Sequence, residues 1–437
     1  MLHDTLLADA HEILKKNWKQ GFTIPTHKLY PFQWNWDSGF ICLGHQYGEL
    51  YKAISELKSL FAGQWENGLV PHIIFHSEQE KTYFPNFDFW ESQVNPGAPN
   101  RPKSSGITQP AVHGFILEHL LWRNPDNEEL WAFAKEIFPQ ILHYHRFLYR
   151  YRDPKQEGLM FMFHPWESGR DNSPLWDESL DRIDVQPGQL PPYQRQDLKL
   201  ADASERPTAQ QYDRYVYLLL LGKTYQYDGP EIAKESPFLI QDDLMNALLI
   251  KSNDSLIRMG QELGLDVGEV EEWQQQSLRS FREKCWNEEL GMFVPYDLRG
   301  EKQIKAKEIG GLTPLFAGIP SQDQASKMNA YLEELHQRGY YLTPSYDVDS
   351  PLYDSKRYWR GPIWPHMNWM LHHGLKDYGF GQTAEWVKAD TFELIEKLGF
   401  FEYFEPEKAI AQGLSRGYGG DLFSWTASSI IDFILAK

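Results

Sequence analysis

The chain has 437 residues, 41% of them apolar, which is enough for a sizeable core. Its formal net charge of −18 and pI near 5.3 set up a field that opposes nucleic acids and anionic membrane surfaces. No run of 18 apolar residues is present, so no membrane span is expected, and the opening Met1-Leu2-His3-Asp4-Thr5 lacks the apolar stretch of a signal peptide.

Length alone suggests two or three domains, although a large barrel can take up such a chain as one. Two cysteines, Cys42 and Cys285, cannot build a disulfide framework, and their sparsity fits a reducing, cytoplasmic compartment. Aromatics are abundant, with 16 Trp, 23 Tyr and 25 Phe. Trp and Tyr are most useful where one side of a ring meets something wet. The apolar C–H faces of sugar rings suit them.

In chain order, residues 4–18 repeat apolar side chains at helical spacing. Tyr30-Pro31-Phe32-Gln33-Trp34-Asn35-Trp36-Asp37 then forms a loop that interleaves indoles with polar groups. A plug for the core explains Phe32. It does not explain Gln33, Trp34, Trp36 and Asp37 together, because buried polar groups need partners. One helix is expected over roughly 38–62, followed by a second aromatic loop at 63–72. Residues 73–106 have no period and four prolines, and their aromatics argue for a lid or rim rather than disorder. Gln109 sits at the mouth of a helix over about 110–122.

A helix over 128–149 should kink or break at Pro139. Trp166-Glu167-Ser168-Gly169-Arg170-Asp171-Asn172-Ser173-Pro174 cannot form an apolar stripe, and Pro174 stops a helix from running through it. A second irregular stretch covers 172–207. Glu205-Arg206-Pro207-Thr208 opens the helix that carries Tyr212. Helices are then expected over 240–264 and 267–288, a short strand pair or turn over 289–297, a helical segment from Gly310, and helices over 321–337, 365–378, 382–398 and 425–435. Between them lie the Tyr358-Trp359-Arg360-Gly361-Pro362-Ile363-Trp364 loop and Phe401-Glu402-Tyr403-Phe404-Glu405-Pro406. Polar-aromatic loops precede every second helix, which suggests helix pairs in a ring whose chemistry gathers at one end.

Glycoside hydrolysis needs two carboxyl groups on opposite sides of the scissile bond, one protonated and one ionised. Asp171 and Glu402 both sit in aromatic-flanked turns by this reading, with Glu167, Glu405, Asp37 and Asp349 as rivals. An isolated Asp in a loop is more often a turn residue or a helix cap, and an isolated Glu a turn carboxylate. Two other functions compete. A sugar isomerase or epimerase on the same ring would move protons with histidine, and His72, His366, His372 and His373 invite that thought, although most histidines are core or surface groups. A non-catalytic sugar-binding protein would keep the aromatics without needing the carboxyl pair. His72 and His76 share a face in either a helix or a strand, but no third metal ligand is evident, so no metal or other cofactor is expected.

The ordered motifs YPFQWNWDSGF, GQWENGLVPH, ITQP, WESGRDNSP, ERPT, YWRGPIW, FEYFEP and FSWTA resemble glycoside hydrolase family 63 from about residue 30 to 435. The likeness is closest to its short bacterial members, which act on mannosylglycerate and glucosylglycerate. It implies an all-α fold: a single (α/α)6 toroidal barrel over residues 1–437, with irregular cap segments at 73–106 and 172–207. It implies an inverting hydrolase of a small α-glycoside, with Asp171 as general acid and Glu402 as general base. An α-glucosidase acting on another small aglycone, such as glycerol or a short α-glucoside, stays open. Sugar contacts are implied for Tyr30, Gln33, Trp34, Trp36, Asp37, Gln109, Gly169 and Trp364, and glycerate contacts for Arg206, Tyr212 and Tyr358. Trp166 would lend Asp171 apolar surface, and Arg170 should point elsewhere. The partner is a small-molecule glycoside, with no nucleic acid or membrane, and assembly as a homo-oligomer is left open. The extra β-domain and membrane anchor of the larger glycoprotein-processing relatives are not expected.

Overall fold

The computed structural model describes residues 2–27, 29–77 and 83–436, so part of the expected cap at 73–106 lies outside the described residues. Twelve α-helices of eleven or more residues are present among the described residues. They are α1 (Leu2–Asn17), α2 (Asn35–His45), α3 (Leu50–Phe61), α4 (His113–Arg123), α5 (Glu128–Tyr151), α6 (Ala209–Thr224), α7 (Asp243–Leu263), α8 (Gly268–Cys285), α9 (Gln322–Gln337), α10 (Pro365–Asp377), α11 (Gly381–Leu398) and α12 (Ser424–Leu435).

The packing closes a circle. Helices α2, α4 and α7, the 3₁₀ segment Ile309–Leu315, then α10 and α12 touch in that order, and α12 returns to α2. Around this inner ring lie α1 on α12, α3 on α2, α5 on α4 and α7, α8 on α7, α9 on α11, and α11 on α10. This is the (α/α)6 toroid. The layers differ as their surroundings demand. Every residue of α2 is buried, and its sequence is apolar or small on most sides. Outer helices such as α3 carry a single apolar stripe.

One local expectation is corrected and two are made specific. The helix expected over 38–62 is two, because the chain reverses at Gln46–Glu49 to lay α3 on the outside of α2. The segment after Gly310 is 3₁₀ rather than α, and it still serves as an inner-ring member. Helix α5 runs through Pro139 without a break. Pro139 is exposed, and so is Lys135, whose carbonyl has no Pro139 N–H to accept from. The sixteen-residue α6, which follows the irregular stretch 172–207, stands in neither circle of contacts.

Short strands steady the loops at the N-terminal ends of the inner helices. Gln33–Trp34 pairs with Ile73–Phe75, which pairs with Lys103–Ser104, all antiparallel. Phe401–Tyr403 pairs antiparallel with Tyr418–Asp421 just before α12. The strand pair or turn expected over 289–297 begins earlier: Trp286–Asn287 pairs with Met292–Phe293. No helix among the described residues is long and apolar enough to cross a membrane.

Candidate active site

The loops that lead into α2, α4 and α12 meet the Trp166–Asp171 turn and the irregular segment before α6 around one cavity. Its empty space, counting open solvent at its mouth, is about 990 Å³.

Of the residues singled out from sequence, Tyr30, Trp34, Trp36, Asp37, Gln109 and Trp166 line it. So do Gly169, Asp171, Arg206, Tyr212, Tyr358 and Glu402. Gln33 and Trp364 do not, and both expectations are corrected. The Gln33 amide points behind the wall, donating to Glu56 Oε1 at 2.9 Å and accepting from His76 Nε2 at 2.7 Å. It alternates with Trp34 on a strand, so one of the two had to face away from the cavity. Trp364 lies flat against Trp359, ring centroids 3.8 Å apart, and supports Tyr358 edge-on from behind.

Glu402 is on the strand Phe401–Tyr403, not in a turn. Its Oε1 accepts from the Tyr30 hydroxyl at 3.1 Å, and its Oε2 accepts from the Gly420 amide at 3.0 Å. Gly419 has φ +69°, and a Cβ there would run into Glu402 Oε2, so this approach needs glycine. Burial raises the Glu402 carboxyl above the usual glutamate range, while the Arg206 charge and these donors oppose the rise.

Asp171 has a harsher environment. Burial pushes its carboxyl up to about 8, with Arg206 pulling it down and the Glu402 charge pushing it further up. Tyr215 donates to the Asp171 main-chain oxygen at 2.9 Å and fixes the turn, not the carboxyl group. The donors on Glu402 favour its anion, and the enclosure of Asp171 favours its acid form. Asp37, in the first turn of α2, is also held well above the usual range, first by burial and then by Glu402 and Asp171.

Arg170 does point elsewhere. It is fully buried and donates to Asp242, to Asp243 Oδ1 at 2.7 Å, and to Glu308. Glu167 is also structural: Arg152 donates to it at 3.0 Å, and the Phe163 and Thr108 amides close on its oxygens. Glu405 is tied to Tyr418 and Ser355, and Asp349 is an exposed partner of Arg338. None of these three rivals lines the cavity.

Gly169 has a different reason from sugar access. Its φ is +72°, and a Cβ would strike the Trp36 indole, so glycine is required by ring packing. Tyr358 also has a left-handed backbone, φ +39°. That conformation costs a bulky residue about 1–2 kcal/mol. It places the ring under the Arg206 guanidinium at 4.3 Å and the hydroxyl 3.1 Å from that of Tyr30.

His72 lines the cavity with Nδ1 2.6 Å from Ser105 Oγ, and burial keeps its ring well below the usual histidine range and therefore neutral. His76 turns to Gln33 instead. Among the described residues no group of three His, Cys, Asp or Glu side chains could hold a metal ion.

Sequence reasoning missed Asp197 and noted Tyr83 and Trp425 only as motif or rim aromatics, although all three line the cavity. Trp425 Nε1 donates to the Glu402 carbonyl at 3.3 Å, and its place at the start of an inner helix was the available signal. Asp197 lies in an aperiodic stretch that offered none.

A helical toroid with an aromatic cavity into which two carboxyl groups open from different environments fits the two-carboxyl chemistry of a glycoside hydrolase. Residues 30–426 match the family described as a mannosylglycerate hydrolase MGH1-like glycoside hydrolase domain. The chain is 42% identical to a mannosylglycerate hydrolase of Thermus thermophilus across 96% of its own length and 98% of the relative's. It is 30% identical to a glucosylglycerate hydrolase of Mycolicibacterium hassiacum, covering 98% of this chain and 97% of that one. The crystal structure of a family 63 mannosylglycerate hydrolase, from another strain of Thermus thermophilus, was solved in complex with Tris and D-glycerate. It superposes with a TM-score of 0.92, at 40% identity over 98% of this chain and 100% of the other. The chain belongs to the mannosylglycerate hydrolase MGH1-like family, within glycoside hydrolase family 63.

Proposed function

We propose that the chain hydrolyses mannosylglycerate, glucosylglycerate or both to the free sugar and glycerate, with inversion at the anomeric carbon. The observation that carries this reading is the meeting of Asp171, Glu402 and Arg206 in one cavity. Asp171, protonated at neutral pH, gives its proton to the leaving oxygen. Glu402, whose carboxylate accepts from Tyr30 and the Gly420 amide, takes a proton from the attacking water on the far side of the sugar. Trp34, Trp36, Asp37, Gln109 and Trp166 embrace the sugar. Arg206 meets the glycerate carboxylate, since its planar fork suits that group, with Tyr30, Tyr212 and Tyr358 beside it.

The names and the bound D-glycerate of the relatives support this substrate class. In this reading the whole chain works as one catalytic domain in the cytoplasm, and the segments 73–106 and 172–207 cap the cavity.

The test is a panel of α-glycosides with and without a carboxylate on the aglycone, followed by NMR of the released sugar. Glycosylglycerates should be cleaved fastest, and the first-formed anomer should be β. Arg206→Ala should lose far more activity on glycosylglycerates than on neutral α-glycosides, and equal losses would sink the assignment of Arg206.

A further inference from the structure

We infer that Asp197, clamped by Arg195, restricts the aglycone end of the cavity to a single negative charge. The inference rests on the reading of Arg206 as the receiver of the aglycone carboxylate.

Apart from His72 and the tyrosines, the ionisable side chains that line the cavity among the described residues are the acids Asp37, Asp171, Asp197 and Glu402 and one cation, Arg206. Arg206 is already partly committed. Its Nε donates to Asp197 Oδ2 at 3.3 Å, and both terminal nitrogens lie 3.2 Å from the Tyr30 hydroxyl. Asp197 is mainly the partner of Arg195, which donates from Nε at 3.0 Å and from Nη2 at 2.6 Å in a fork. Arg195 is itself fixed, donating to the Pro207 carbonyl at 2.7 Å and lying over the Tyr212 ring at 4.3 Å. It stays behind the wall and does not line the cavity.

The charge count follows from this geometry. Arg195 and Asp197 neutralise one another within the wall, and only the carboxylate member reaches the cavity surface. Arg206 is left with one unit of positive charge for a ligand. A second negative group on the aglycone would find no other Lys or Arg among the described lining residues, and would sit in the same corner as the Asp197 carboxylate. Burial opposes the Asp197 charge, yet the hydrogen bonds from Arg195 and the charge of Arg206 hold the group below the usual aspartate range, so it keeps that charge at neutral pH. The segment thus separates anions by number of charges. It does not separate neutral from anionic aglycones, which is the task of Arg206.

The experiment uses three product-sized inhibitors of mannosylglycerate hydrolysis by the full chain: glycerol with no charge, D-glycerate with one, and tartronate, in which the CH₂OH of glycerate is a second carboxylate. The wild type should prefer D-glycerate to tartronate. In Asp197→Asn the ratio of the tartronate to the glycerate inhibition constant should fall on the order of tenfold, because one negative charge is removed and Arg195 is released from it. Asp197→Glu should keep the wild-type ratio. Arg195→Met, with one cation fewer, should widen it. A purely structural role for Asp197 would shift all three inhibitors together.

An unchanged ratio in Asp197→Asn, or a narrowed ratio in Arg195→Met, overturns the inference. If the wild type is inhibited no better by D-glycerate than by glycerol, the carboxylate-bearing aglycone itself is wrong, and the charge limit falls with it.

Discussion

Arg170 and Asp171 are consecutive residues that face opposite ways. The Arg170 guanidinium is sealed among Asp242, Asp243 and Glu308, with side chains 0 or 1% exposed, and Asp171 opens into the cavity. A cation next in sequence should depress the proton affinity of a carboxyl group, but this one is consumed by three acids at the N-terminal turn of α7 and beside the 3₁₀ segment. Arg170 anchors the turn to the inner ring while sparing Asp171 its charge.

Removing that anchor should be severe. Arg170→Met leaves three carboxyl groups buried with no cation, and breaking a buried ionic cluster costs about 3–5 kcal/mol. Urea denaturation at pH 7 should show a loss of that order. Arg170→Lys should recover only part of it, because one ammonium group cannot reproduce the fork that reaches all three acids.

Asp171→Asn should lower kcat by roughly 10²- to 10⁴-fold, the usual contribution of a positioned acid, with substrate still bound. The same variant should gain stability. The folded-state value of Asp171 lies at about 8, above that of the unfolded chain, so folding binds a proton and stability falls as pH rises between about 4 and 8. Asparagine carries no such cost. Thermal melts should therefore place the variant above the wild type at pH 8, and the two should coincide near pH 4.

The pH profile of kcat/KM should be bell-shaped. The alkaline limb belongs to Asp171, and activity should fall as pH rises through about 8. The acid limb belongs to Glu402, and should lie above the ordinary glutamate value because burial raises it. Tyr30→Phe removes a donor to the Glu402 anion, so the acid limb should move to higher pH.

Gly169→Ala should cost stability and activity together. The added methyl meets the Trp36 ring, and the residue must hold φ +72°. A loss of about 1–3 kcal/mol is expected, with a fall in kcat/KM as Trp36 is displaced. Retained kinetics in a destabilised Gly169→Ala would mean that Trp36 does not help to hold the sugar.

Much of the fold was legible because polar-aromatic loops lead into α2, α4, α10 and α12, with the period-3.6 pattern of the outer helices between them; α7 has no such loop before it, and the one at Arg206–Thr208 leads into α6, outside both circles. Asp171 and Glu402 drew notice through their aromatic neighbours, but Glu167, Glu405, Asp37 and Asp349 had a similar claim, and it was the likeness to glycoside hydrolase family 63 that singled out the pair. The remainder depended on which way a side chain turns. Gln33 and Trp34 are neighbours on one strand, and nothing in their order says which faces the cavity. Trp364 looks like a sugar platform, yet Trp359 and Tyr403 both stack on it. Gly169 is required by its contact with Trp36, a residue more than a hundred positions away. Asp197 belongs to a stretch without period, and only the folded chain brings it against Arg206.

The ring closure has a topological consequence. Helix α12 lies on both α1 and α2, and Asn17, at the end of α1, donates to Ser424 Oγ at 2.8 Å, at the start of α12. At the opposite ends of these two helices, His3 and Phe433 both touch the ring of Phe392. The two ends of the described chain therefore lie side by side, and the toroid has no privileged starting point. A circular permutant that joins those ends with a short linker and opens the surface turn between α7 and α8 would have every inner-ring neighbour in place, and Asp171 and Glu402 would keep the same walls around them.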